Sequence, residues 1–132
     1  MNANIKRAFL FVAVFQFLHS VEEYVFELWE HLAPARFLSG LVSDDLPFGF
    51  AVINIAIVML ISFSYIVPVR NASPNARRVV WFWAMLETFN GAGHLWLGFS
   101  GTAYFPGLYT APFLLLFGVV LMQQLITSRN AA

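Results

Sequence analysis

His19, Glu22 and Glu23 stand inside a segment that is otherwise apolar. Residues 8–18 hold one polar side chain, Gln16, and residues 24–26 are apolar again. A membrane helix needs roughly 20 mostly apolar residues, so residues 8–18 are too few to cross alone. A first span has to take His19, Glu22 and Glu23 into the bilayer with it. A charged side chain there costs roughly 2.5–3.5 kcal/mol even on the most lenient scale. Such groups are tolerated only where they face the interior of a helix bundle and meet partners.

The rest of the chain fits that setting. Of 132 residues, 60% are hydrophobic and 11% charged, against about 45–50% and 25% in an average soluble domain. The composition predicts a single-domain integral membrane protein spanning residues 1–132. A formal net charge of zero gives nothing global to draw the chain to nucleic acid. With no cysteine there are no disulfides, thiolate ligands or cysteine nucleophiles, so any metal must be held by nitrogen and oxygen. Lys6-Arg7 before an apolar run, with Ala33-Pro34-Ala35 further on, has the outline of a signal peptide. That cleavage site lies far past the apolar run with acids between, so the segment reads as a retained first span.

Four apolar segments separate: about 7–32, 47–67, 77–97 and 110–126. Between them, 33–46 holds Pro34, Gly40 and Asp44-Asp45, turn chemistry with room for a short helix. Residues 68–76 read as a plain loop. Tyr104-Phe105-Pro106-Gly107 reads as a tight turn with Pro at its second position and Gly after it. Pro112 suits the first turn of a helix. The expected fold is an all-α, four-span transmembrane helix bundle. With the N-terminus inside, Lys6, Arg7, Arg70, Arg77, Arg78 and Arg129 fall inside and only Arg36 outside. The positive-inside rule then places both termini in the cytoplasm, and the expected location is a bacterial inner membrane.

At three to four residues per turn, His19, Glu22 and Glu23 share one wedge of the first span, continued by Gln16, Phe26, Glu27 and Glu30. Trp83, Glu87, Asn90, Gly91, His94 and Gly98 form a stripe on the third, its small residues admitting a close neighbour. At about 1.5 Å per residue, His19 lies roughly 18 Å from Arg7, and Glu87 and His94 roughly 14 and 24 Å from Arg78. Asn54 lies roughly 21 Å from Pro68 on the descending span. These groups fall into one polar layer. Its carboxylates cannot sit together unpaired, so either protons neutralise them or a cation does. Carboxylate and imidazole are standard ligands for zinc, iron and manganese, and di-iron bundles use Glu and Glu-x-x-His sets in a related way.

The motif residues resemble the HXXEE family of small membrane proteins: His-x-x-Glu-Glu at residues 19–23, a further histidine at His94, and Tyr-x-Pro-Gly at Tyr104, Pro106 and Gly107. The family is one of unknown function, so the resemblance implies importance for these positions and no reaction. The chemistry supports a divalent metal, zinc or iron, on His19, Glu22, Glu23, Glu87 and His94, in an enzyme for a lipid-like or small apolar substrate. Glu22, Glu23 and Glu87 are then the acid/base candidates, and Asn54, Trp83 and Asn90 line the site. A metal serves either to activate water toward a carbonyl or phosphoryl group or in oxidative di-metal chemistry. Two alternatives remain open. One is a metal-free acid/base isomerase or cyclase of an isoprenoid or sterol-like molecule. The other is a non-enzymatic accessory subunit of a larger membrane complex, its polar layer structural or binding a cofactor; the assembly expected is a homo-oligomer or such a complex.

Overall fold

The computed structural model describes residues 1–130, the side chains of 129 and 130 excepted, and over that range every regular element is helical. Helix α1 (Ala3–Val25) starts at Asn2, whose side chain accepts from the Ile5 amide at 2.9 Å, one of the amides a helix start leaves free. The apolar pattern predicts a span reaching residue 32, but α1 stops at Val25 and Glu27 adopts a left-handed backbone, φ 56°. The break has a physical reason. A continuous helix would carry Glu27 and Glu30 inward along the wedge of Glu23. The turn leaves both exposed and sends Leu28 and Trp29 of α2 (Leu28–His31) inward instead, against Phe50.

Residues 33–42 of the first connector form α3 (Ala33–Val42), with Pro in its first turn. Arg36 ties it back to Glu30 and to the Trp29 carbonyl. Helix α4 (Leu46–Ser64) is capped by Asp45 Oδ1 on the Phe48 amide. Gly49 lets α3 settle on it, since a Cβ there would stand 2.2 Å from the Ser39 carbonyl oxygen. The chain leaves α4 through a π-helical turn, Tyr65–Val69, that contains Pro68. Proline lacks the N–H that an α-helical ladder needs. Helices α5 (Ala76–Ser100) and α6 (Ala111–Asn130) pack closely at Gly91, where a Cβ would lie 2.7 Å from the Ala111 oxygen and the Leu115 nitrogen.

Three helical stretches are long and apolar enough to cross a membrane: Ala3–Val25, Leu46–Val69 and Ala111–Ser128. The third expected span, α5, has the length at 25 residues but is less apolar, because Arg77, Arg78, Glu87, Asn90 and His94 dilute it. Lys6, Arg70 and Arg77 gather at one end, where Lys6 Nζ donates to the Arg70 carbonyl at 2.6 Å and Arg77 to Ser128 and the Leu125 carbonyl. The Arg129 side chain lies outside the described set. The half of the bundle nearest this end is filled by Phe9, Val12, Ile61, Val80, Trp83 and Leu121. The polar layer occupies the other half.

Candidate metal centre

Helix α1 delivers His19 and Glu23 one turn apart, and α5 brings His94 to meet them. His19 Nε2 lies 3.2 Å and His94 Nε2 3.1 Å from Glu23 Oε1. The imidazole rings stand edge to face, 4.5 Å between centroids. His19 is fully buried, and Glu23 and His94 are 7% and 6% exposed.

The far side of each ring fixes its proton. His94 Nδ1 lies 2.8 Å from the Pro106 carbonyl oxygen, which can only accept, so Nδ1 carries the hydrogen. His19 Nδ1 lies 2.7 Å from Thr110 Oγ1. That hydroxyl has one hydrogen and stands 2.5 Å from Glu22 Oε2, a carboxylate that takes it. Thr110 must therefore accept from His19 Nδ1–H. In both neutral rings the Nε2 lone pair then points at a carboxylate oxygen, with no hydrogen between acceptor and acceptor. His19 Nε2 is a buried atom with no hydrogen-bond partner. Such an arrangement holds together if the rings carry extra protons or if a cation sits among the three groups. His19, Glu23 and His94 each offer one ligand atom, and these atoms lie within 4.8 Å of one another.

The other residues singled out by spacing fall around this trio. Glu22 turns away: Oε1 accepts from the Tyr104 hydroxyl and, at 2.9 Å, the Tyr109 amide, while Oε2 accepts from the Thr110 amide and hydroxyl. It anchors the connector between α5 and α6. Glu87, 1% exposed, is buried near Glu23 with Asn90 beside it. The Gln16 amide, turned so that its nitrogen faces Glu87, donates to Oε2 at 2.7 Å and accepts from Ser20. Asn54 donates to the Phe50 carbonyl. Trp83 lies in the apolar core and donates to Ser64 Oγ at 3.0 Å.

Sequence spacing reads residues 104–107 as a turn, and the turn forms: the Leu108 amide reaches the Phe105 carbonyl, with Gly107 at φ 91°. It is also the roof of the site. A Cβ on Gly107 would stand 2.5 Å from His94 Nδ1 and 2.6 Å from His19 Cε1. Thr110 and the Pro106 carbonyl escape a sequence reading altogether, since neither a lone Thr at a helix start nor a backbone oxygen announces itself. Tyr104 is visible only through its motif. Burial and the hydrogen bond to Glu22 push its hydroxyl above its ordinary value.

Beside Glu23 and His94 a cleft of about 490 Å³ opens between α4 and α5, under α3. Its walls are Leu38, Phe50, Ile53, Ile57, Leu86 and Phe89, with Glu23, Glu87, Asn90, His94, Gln16 and Asn54 at its polar patch.

Together these features define a small all-helical protein with membrane-spanning capacity and a buried His/Glu/His cluster closed over by a glycine turn. A family model described as "Protein of unknown function with HXXEE motif" matches residues 9–122, and the chain belongs to that family. Comparisons with curated proteins and with solved structures gave no match.

Proposed function

We propose that this chain is a four-span integral membrane protein with cytoplasmic termini that holds one divalent metal between His19, Glu23 and His94 and acts as an enzyme on an apolar substrate. The observation that carries the reading is the pair of imidazoles whose Nδ1 sides are spoken for and whose Nε2 lone pairs converge on one carboxylate oxygen. Metal-ligating histidines are characteristically held this way by an outer partner. Two imidazoles and a carboxylate match the three-ligand sets of catalytic zinc, which leave a position open, and the donors suit iron as well. One three-residue group favours single-metal chemistry over a di-metal centre. In this reading Glu22 positions His19 through Thr110, and Glu87, adjacent but outside the trio, is the acid/base group.

A second reading keeps the enzyme without metal: Glu87, buried between Gln16 and Asn90 at the cleft, moves a proton on an apolar substrate. Metal analysis of purified protein separates the two. Wild type should carry stoichiometric zinc or iron, and His19→Ala or His94→Ala should each lose most of it. The double variant should lose little more, because residues acting as one unit are not additive. Glu22→Gln should weaken affinity by about 10–100-fold, the usual effect of losing an outer partner. Metal-free wild type whose activity ignores chelators but needs Glu87 would replace the first reading with the second.

A further inference from the structure

The cleft between α4 and α5 is not explained by holding a metal, and its lining restricts what can enter. Of the residues that line it, two are acidic, Glu23 and Glu87, and none is Lys or Arg. The histidines engage Glu23 through Oε1 alone. Asn54 spends an amide hydrogen on the Phe50 carbonyl. Glu23 Oε2 is therefore left as an acceptor among Asn90, Gln16 and Glu87, groups that can both donate and accept. A hydroxyl, which does both, matches that setting, whereas a permanently charged head group would have to give up its water to reach it. Apart from Ser39, whose hydroxyl is spent on the Ala35 carbonyl, the rest of the wall is hydrocarbon or aromatic, and the volume lies within the range of small-molecule sites, about 300–1,000 Å³.

The cleft lies between helices tied together elsewhere and opens at an apolar rim. Toward the basic end, Trp83 Nε1 bonds Ser64 Oγ and joins α5 to the end of α4. On the other side α3 is seated on α4 at Ser39 and Gly49. Leu38, Leu86 and Phe89 at the rim are 49%, 43% and 71% exposed, an apolar mouth facing where lipid chains would lie.

We infer that the cleft between α4 and α5 binds an uncharged long-chain alcohol, entering sideways from the bilayer and presenting its hydroxyl hydrogen to Glu23 Oε2 beside His94. The fate of that hydroxyl rests on the metal-centre reading; its binding rests on the cleft alone.

The test uses full-length protein in lipid nanodiscs and a photoreactive diazirine alkyl alcohol, with its methyl ether and its alkyl sulfate as matched probes. Cross-links are mapped by mass spectrometry, and metal per chain is measured on the same samples. The alcohol should label cleft residues of α3, α4 and α5 at least tenfold more than the ether, which has no hydrogen to donate, or the permanently anionic sulfate. Ile53→Trp should fill the cleft and abolish this labelling while metal content stays unchanged. Leu60→Trp, on the lipid face of the same helix at 54% exposure, should leave it intact. Equal labelling by all three probes, or cross-links confined to residues outside the cleft, overturns the inference. Metal present without cleft labelling also sinks this inference and spares the metal centre. Cleft labelling of metal-free wild type does the reverse. Because the wild-type cross-link map decides by itself, a poorly folded Ile53→Trp does not remove the test.

Discussion

Glu22 and Glu23 are neighbours in sequence with opposite employment. Glu23 faces two imidazole nitrogens; Glu22, about 100° round the helix, is saturated by four donors from residues 104, 109 and 110. The Tyr104 hydroxyl is one of these donors, and the raised titration that burial and Glu22 impose on it has a consequence for stability. A group whose folded pKa exceeds its unfolded value contributes fully below the unfolded value, about 10 for Tyr. The contribution is lost as pH rises through the folded one. Stability should therefore decline above about pH 10 in wild type, and Tyr104→Phe should shrink that decline while lowering stability at pH 8. Thermal midpoints at pH 8 and 10.5, with ultraviolet absorbance reporting tyrosinate, measure it. An unchanged alkaline slope in Tyr104→Phe would show that the hydroxyl is not engaged as described.

The turn between α5 and α6 is the element that converts two facing helices into a site. It gives His94 a carbonyl, His19 a hydroxyl and both rings a glycine surface. Gly107 is constrained twice, by φ 91° and by the rings beneath it, so Gly107→Ala should destabilise by about 1–3 kcal/mol for backbone strain alone and disturb both histidines. Gly93, on α5 one residue from His94, has nothing within 4 Å of an added Cβ. Gly93→Ala should instead stabilise by roughly 0.5–1 kcal/mol, the usual gain in a helix. Denaturation midpoints of the two variants, read with histidine NMR shifts, check the contrast. If Gly107→Ala proves as benign as Gly93→Ala, the turn does not roof the rings. The turn itself was legible from Pro106-Gly107, because proline and glycine encode local dihedrals. Its landing place on the histidines was not, because that depends on packing: Pro106 meets His94 12 positions back, while Thr110 meets His19 91 positions away along the chain.

At the scale of the whole molecule, basic residues collect at one end and the polar cluster lies in the other half of the bundle. In our reading the basic end is cytoplasmic. Tags at either terminus should resist protease in sealed right-side-out vesicles, whereas a cleavage site at Ser43, between α3 and α4, should be cut. The reverse pattern would place the cluster at the inner face. Composition and periodicity by themselves determined that the chain is helical and about where the three helices apolar enough to cross a membrane fall, and they mark His19, the Glu pair, Glu87 and His94 as candidates for one layer. Those follow from helical period and the cost of ionisable groups in hydrocarbon, which are local quantities. Tertiary structure decided the rest: α1 ends before Glu27, Glu22 serves the connector while Glu23 joins the histidines, and Glu87 stands outside the trio. Spacing places side chains on a face only to within a wedge, and which member of a wedge meets which partner is set by the packing of residues distant in sequence.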